Sequence, residues 1–267
     1  MRSISRIGEL REALVPERAR SEVGLVPTMG AFHPGHLSLF DAARQAGGLV
    51  AVSIFTNPAQ FGADEDLARY PRDLERDARL AEEAGVDVLF VPDADEIYPP
   101  GFDTWVDVGE LGSLLEGAAR PDHFRGVATV CLKLFEIVRP ARAYFGQKDA
   151  QQAAVVRQMV RDLDLDLQLD VRPTVRDDDG LAWSSRNAYL SLEERTQALA
   201  LPAALLAGQE AYRRGEDPVP VARRRLGALT ADYLSVADFG GPTLVAAVRV
   251  GTTRLIDNVR LDEEKSA

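Results

Sequence analysis

Short apolar runs alternate with helical patterns through most of the first 175 residues. Val23-Gly24-Leu25-Val26 reads as a buried strand, and Gly35 to Ala46 then carries a helical pattern. Leu49 to Phe55 is a second strand, a helix follows from about Pro71 to Ala84, and Val86 to Val91 is a third strand. Thr104 to Val108 alternates and is expected as another short strand. Gly126 to Val138 is helical in pattern, Ala141 to Phe145 strand-like, Asp149 to Arg161 helical, and Leu165 to Val171 alternates again. Strands alternating with helices predict βαβ units, hence a mostly parallel sheet with helices on both faces. The fold class expected is α/β, with a Rossmann-like parallel sheet domain.

The pattern changes after about residue 175. Leu192 to Gly215 is Ala/Leu-rich and helical, with a break expected at Pro202, and Pro218 to Asp232 is a further helix. Tyr233 to Phe239, Thr243 to Val250 and Thr253 to Ile256 are all strand-like. Helices followed by consecutive strands predict a smaller C-terminal α+β domain. Asp177-Asp178-Asp179-Gly180 is turn chemistry, so the boundary is expected near Thr174 to Asp179, giving domains 1–175 and 176–267. No internal repeat or low-complexity segment interrupts this plan.

Composition narrows the class. A chain of 267 residues is long enough for two cores, and 46% hydrophobic with 27% charged residues is ordinary for a soluble globular protein. No apolar run approaches the ~18–20 residues that cross a bilayer, so no membrane partner is expected. The opening residues, Met1 to Leu10, lack an apolar h-region, so a secretory signal is not expected. The single cysteine, Cys131, excludes an internal disulfide framework and a Cys-rich zinc site, and reads as a small core residue on a helix. A cytoplasmic location follows most simply. The net charge of −11 argues against a nucleic-acid partner, which would require a basic face. Any phosphate must then be held by a few concentrated donors. Only Lys133, Lys148 and Lys265 are lysines in a strongly Arg-biased chain, so each marks a place where a compact ammonium is useful.

In open α/β sheets, ligands sit outside the carboxyl ends of the strands. Three polar clusters directly follow strands here: Pro27 to His36, Thr56 to Phe61, and Gly146 to Gln152. In the first, His33 and His36 lie three residues apart around Pro34 and Gly35. Proline suits the first position of a helix, so both imidazoles should share one side of its opening turn. A helix N-terminus favours phosphate, and Gly35 lets a ligand approach the backbone. Two capping or surface histidines, or a zinc pair lacking a third ligand, are the alternatives. In the second cluster Asn57-Pro58 is a turn signal, and Gln60 beside Phe61 offers a neutral amide against an apolar wall. In the third, Lys148 stands just before a helix start, where an ammonium neutralises phosphate; Asp149 and Gln152 could equally form a capping box. Neither a Walker A loop nor Gly-x-Gly-x-x-Gly occurs. A fourth segment, Gly180 to Asn187, sets Ser184, Ser185 and Arg186 in a row, as a phosphate clamp or as a helix-capping loop.

The arrangement His33-Pro34-Gly35-His36 resembles the His-x-Gly-His signature of the nucleotidylyltransferase superfamily. Six stretches in order resemble one family within it: VPTMGAFHPGH, SIFTNPAQFG followed by ED and RYPR, LEGAARPDHFRGVATVCLKLF, AYFGQKDAQQ, TVRDDDGLAWSSRNAYL and GTTRLIDN. They run from residue 26 to 258 and match the pantothenate synthetase (pantoate–β-alanine ligase) family. Phe32, Pro34, Thr56 and Trp183 depart from the family's usual residues; none removes a catalytic group, and Trp183 could reshape the adenine or ribose contact.

The resemblance implies an ATP-dependent ligase that joins pantoate and β-alanine through a pantoyl adenylate, releasing AMP and pyrophosphate. It implies His33, His36 and Lys148 as catalytic residues, with His36 the proton donor. Met29, Gly30, His33, His36, Gly146, Gln147, Lys148 and Asp149 would bind ATP, together with Val175, Trp183, Ser184, Ser185 and Arg186 of a lid domain. Gln60 and Gln152 would bind pantoate, and Gln60 also β-alanine. Mg²⁺ would accompany ATP, with Asp77 as a contact, and the chain would form a homodimer. Two rivals remain open on the residues alone: another His-x-Gly-His adenylyltransferase or synthetase fragment, and a nucleotide-binding protein without catalysis.

Overall fold

The computed structural model describes residues 1–62 and 65–262, so Lys265 lies outside the described residues. The chain divides into two compact units, Met1–Gly146 with Val155–Arg172, and Gln147–Ala154 with Pro173–Ala267. The second unit therefore includes the turn carrying Lys148, which the sequence pattern grouped with the first domain.

The first unit opens with β1 (Arg2–Ile4), α1 (Ile7–Arg18), β2 (Val23–Thr28), α2 (Pro34–Gln45) and β3 (Leu49–Ile54). It continues through α3 (Leu74–Glu83), β4 (Val88–Phe90) and two single-turn helices, α4 (Ala94–Ile97) and α5 (Glu116–Ala119). Then come α6 (His123–Val138), β5 (Arg142–Gly146), α7 (Ala150–Asp162) and β6 (Gln168–Arg172). Among the described residues six strands form one sheet in the order β1-β4-β3-β2-β5-β6, with every pair parallel. The strand order reverses between β2 and β5, which places the binding crevice of such a sheet beyond the carboxyl ends of those two strands.

Alternation along the strands builds the two faces. Val23 and Leu25 of β2, Ala51 of β3, Val88 and Phe90 of β4, and Ala143 and Phe145 of β5 pack with α1, α6 and the second half of α7. Val26, Val50, Val52, Leu89 and Tyr144 point the other way, against α2 and α3. Cys131 lies in the first of these cores, and burial pushes its thiol up to about 12, so it packs as a small apolar group.

Thr104 to Val108 is not a strand, which corrects the sequence expectation. The Val106 amide donates instead to Thr129 Oγ1 of α6 at 3.0 Å, and the Arg125 guanidinium covers the Trp105 ring at 4.9 Å. The segment's polar and aromatic groups are thus satisfied by a helix rather than by a neighbouring strand. β1 and α1 are elements the hydrophobic pattern did not announce. Arg6 offers no capping side chain, Pro16 interrupts the helical run, and Leu10 and Leu14 are the buried residues of α1.

The second unit holds α8 (Leu192–Ala198), α9 (Ala200–Arg213), α10 (Pro218–Leu226), β7 (Thr230–Asp238), β8 (Pro242–Val250) and β9 (Thr253–Arg260). The three strands form an antiparallel sheet in sequence order. Leu201, Leu205, Ala222 and Leu226 pack with Leu234, Leu244, Ala246, Val248 and Leu255 to make its core. The break in the long helical stretch falls at Leu199, not Pro202. Pro202 sits in the first turn of α9, where its missing N–H removes no helical bond. The helix that begins at Pro218 also ends earlier than the spacing predicts, with Gly227 at φ 63° beyond Leu226.

Candidate active site

The site residues of the first unit leave the carboxyl ends of β2 and β3. Beyond Thr28, Gly30 and Ala31 both adopt positive φ, 83° and 52°. That left-handed pair turns the chain sharply toward α2. Asp77 of α3 holds the turn: Ala31 N donates to its Oδ2 at 2.6 Å and Phe32 N to its Oδ1 at 2.8 Å. Arg76 Nη1 donates to the Phe32 carbonyl at 3.0 Å. A Cβ on Gly30 would stand 2.9 Å from Asp77 Oδ2, so a side chain there would press on the clamp. Burial raises the Asp77 carboxyl above the usual range, opposed by those two amide hydrogen bonds.

His33 is the N-cap of α2, with Pro34 at the first helical position. Its Nδ1 accepts from Gly35 N at 3.2 Å, which leaves its Nε2 to carry the proton in the neutral ring. The His33 and His36 rings stand 4.1 Å apart, so the two imidazoles do share one side of the opening turn. Buried Phe32 lies beneath, its ring 5.5 Å from His36 and 5.0 Å edge-on from Phe40. His33 thus caps the helix through Nδ1.

After β3, Asn57 caps the 3-10 turn Pro58–Gln60 by accepting from Ala59 N at 3.2 Å. Its Nδ2 donates to Gln60 Oε1 and to the Gly126 carbonyl, each at 3.1 Å. Gln60 Nε2 reaches Met29 Sδ at 2.9 Å, and Thr56 Oγ1 contacts the Met29 carbonyl at 3.4 Å. Gln60 thus joins Met29 directly and Asn57 ties both to α6, while His33 and His36 form a separate ring pair at the start of α2. Asn57 was legible only as a turn residue, because nothing local indicates that its amide reaches α6.

The second unit gathers the other candidates around β9. Lys148 and Asp149 sit on a 3-10 turn, Gln147–Asp149, with Lys148 Nζ 3.4 Å from Asp149 Oδ1. Asn258 Nδ2 donates to the Gln147 and Lys148 carbonyls, each at 2.9 Å, and Gln147 Nε2 donates to Asn258 Oδ1 at 3.3 Å. Gln152 follows in the opening of α7. Arg176 grips the neighbouring Asp257 bidentately, at 2.7 and 3.0 Å, and donates to the Asn258 carbonyl at 3.3 Å. A single Asp-Asn pair on one strand therefore anchors both the Lys148 turn and the chain at Arg176. Arg176 pairs with Ala182 across the Asp177–Gly180 turn, and Trp183 N donates to the Val175 carbonyl at 3.0 Å. Val175 and Trp183 are thereby adjacent. Ser184 Oγ accepts from Arg186 N at 3.3 Å and caps the turn Ser185–Tyr189. That cap joins the first serine of the run to the backbone of its arginine. A Cβ on Gly146, the last residue of β5, would meet nothing within 4 Å among the described residues, so internal packing does not demand glycine there. Each candidate group is thus coherent within its own unit.

Among the described residues no group of three or more His, Cys, Asp or Glu side chains could cage a metal, and no helix is long and apolar enough to cross a membrane. The donor set suits an ion held chiefly by ligand oxygens, with a lone carboxylate such as Asp77 at most contributing.

Comparison with known proteins agrees with this fold. The profile of the family described as pantoate-beta-alanine ligase matches residues 2–260. The pantothenate synthetase of Roseiflexus castenholzii is 51% identical over 279 residues, covering 98% of this chain and all of that one. That of Moorella thermoacetica is 50% identical, covering 98% and 99%. The crystal structure of pantothenate synthetase from Thermus thermophilus superimposes with a TM-score of 0.93 at 47% identity, covering 98% of this chain and 99% of that one. That of pantoate-beta-alanine ligase from Francisella tularensis, complexed with beta-gamma ATP and beta-alanine, superimposes at 0.87 with 32% identity, and both chains are fully covered. With the family profile, the sequence identity and the superposition in agreement over nearly the whole chain, it belongs to the pantoate–β-alanine ligase family of ATP-dependent ligases.

Proposed function

We propose that the protein makes pantothenate in two steps. A pantoate carboxylate oxygen attacks the α-phosphorus of ATP, the bond to the β-phosphate oxygen breaks, and pyrophosphate leaves. The β-alanine amine then attacks the acyl carbon of pantoyl adenylate, the bond to AMP breaks, and the amine nitrogen gives up a proton. A free carboxylate is a poor acyl donor because oxide leaves badly; AMP leaves well. The protein must neutralise polyphosphate charge while a second anion approaches, and it must keep water from the mixed anhydride.

The observation that carries this reading is the pair of imidazole rings 4.1 Å apart at the N-terminus of α2, which follows the same β2 loop whose Met29 meets the Gln60 amide. His33 and His36 there meet the phosphates and the charge developing at phosphorus, with His36 giving a proton to the leaving pyrophosphate oxygen. Met29 and Gly30 line the nucleotide. Gly146, Gln147, Lys148 and Asp149 hold ATP, Lys148 by its charge and Asp149 at the ribose. Val175, Trp183, Ser184, Ser185 and Arg186 contribute further nucleotide contacts. Gln60 and Gln152 bind pantoate through neutral amides, and Gln60 also orients β-alanine. The bound ligands of the Francisella relative support the ATP and β-alanine assignments. Mg²⁺ would be held chiefly by the phosphate oxygens and would supply charge neutralisation there; Asp77 would be its protein contact, although its carboxylate is buried and already holds the Ala31 and Phe32 amides. The family resemblance supports a homodimer working in the cytoplasm.

Pyrophosphate release tests the sequence of steps. ATP and pantoate alone should yield a burst matching the enzyme concentration, and adding β-alanine should start steady turnover with AMP. Pyrophosphate that forms only when β-alanine is present, or ADP as the nucleotide product, overturns the adenylate route.

A further inference from the structure

Behind Gln60 lies a partly buried charged cluster that the proposed chemistry leaves without a task. His123, the first residue of α6, is buried, and its Nδ1 lies 2.9 Å from the Gln60 carbonyl. Arg120 Nη2 donates to the same carbonyl at 3.3 Å, and its Nη1 lies 3.2 Å from His123 Nε2. These partners determine the tautomer. A carbonyl only accepts, so Nδ1 carries the proton; a guanidinium only donates, so Nε2 must be the bare acceptor. Arg120 is itself neutralised: Glu65 accepts from Nε at 2.9 Å and from Nη2, and Glu116 Oε2 stands 3.9 Å from Nη1. Burial is the largest influence on His123 and the Arg120 charge the next, lowering the imidazole to about 4, while the Gln60 carbonyl, Glu116 and Glu65 pull the other way. Burial also opposes ionisation of Glu65, yet the Arg120 hydrogen bonds and charge hold its carboxyl below the usual range.

Gln60 is consequently fixed at three points. Its carbonyl is held by Arg120 and His123, its Oε1 by Asn57, and its Nε2 lies against Met29. Helix α6 approaches so closely that a Cβ on Gly126 would stand 2.2 Å from the Ala59 carbonyl. We propose that Arg120 and neutral His123 are positioning residues for the acyl-substrate site, a charge-balanced bracket that sets where the Gln60 carboxamide is presented. This rests on the reading of Gln60 as a pantoate-binding residue. Neither group touches substrate in this scheme; each acts through Gln60.

The test compares His123→Asn, His123→Gln and His123→Leu in pantoate-dependent pyrophosphate release by the full-length enzyme, with Gln60→Ala as reference. Asparagine places an N–H near the Nδ1 position, whereas glutamine places one near Nε2. Losing a buried hydrogen bond to the Gln60 carbonyl should raise the pantoate KM about tenfold in His123→Leu and His123→Gln, while His123→Asn stays within about threefold of the parent. The ATP KM should move less than about twofold in all three. If the pantoate and ATP KM values rise together, or the three variants are kinetically alike and differ only in melting temperature, the bracket is ordinary packing and the inference fails. If Gln60→Ala leaves the pantoate KM unchanged, the underlying site reading fails instead. Should a His123 variant not fold, ¹⁵N spectra of the parent decide the tautomer. A chain with three histidines is readily assigned, and an Nε2–H ring, or one titrating near neutrality, overturns the proposal.

Discussion

His36 and Lys148 owe their positions to different local devices, so their removal should be read separately. His36 is set by Pro34 and the opening turn of α2, and Lys148 by Asn258 on β9. His36→Ala and Lys148→Ala should each slow adenylate formation by about 3–4 kcal/mol, as for other donors aimed at developing charge; single-turnover pyrophosphate release measures this, and near-normal turnover in either removes its assigned role. Gln152→Ala should raise the pantoate KM more than the ATP KM. Asn258→Leu leaves the Gln147 and Lys148 carbonyls without their side-chain donor and should raise the ATP KM about tenfold or more. If its pantoate KM rises as much, Asn258 is a general packing residue. The histidine pair was legible in sequence because three residues around a proline dictate their geometry. Asn258 was not, because 110 residues separate it from its partner Lys148 and no local pattern links them.

At the level of elements, α6 does more than fill the core. Its buried apolar side faces the sheet while Gly126 admits the Pro58–Gln60 turn. Gly126→Ala should destabilise the protein by about 1–3 kcal/mol through overpacking against backbone; urea unfolding measures it, and an unchanged midpoint means that the turn moves away freely. Most elements follow from pattern alone. Val23 to Val26 and Leu49 to Phe55 are nearly continuous apolar runs, broken only by Gly24 and Ser53, because both faces of a parallel sheet are covered. The failures have physical causes as well. Val106 alternates like a strand residue but gives its amide to Thr129, so alternation reported one buried side and not a ladder. α1 escaped notice because Pro16 cuts off its apolar residues, all of which precede it, and no side-chain cap announces it.

At the level of the whole molecule, His123 links stability to pH. Folded, its imidazole sits at about 4; unfolded, near 6.5. Between those values the unfolded chain binds a proton that the folded chain does not, so stability rises with pH across that window. The loss on going from pH 6.5 to pH 4 should be on the order of 3 kcal/mol, with no contribution from this group above the window. Urea unfolding of the parent against His123→Asn isolates the effect: the difference in slope should lie between those pH values, and parallel profiles would show that His123 already titrates normally.

By itself the sequence determined the α/β class, the parallel sheet, the helix N-terminus that carries His33 and His36, and the family, because each depends on spacing within a few residues or on motifs kept in order. The tertiary structure alone decided which groups hold those motifs in place: Asp77 on the Ala31–Phe32 turn, Arg120 and His123 on Gln60, Asn258 on the Lys148 turn. These are hydrogen bonds to backbone atoms. A carbonyl or amide looks the same at every residue, so the partner's identity leaves no trace in the sequence around it, and only the folded chain brings the two together.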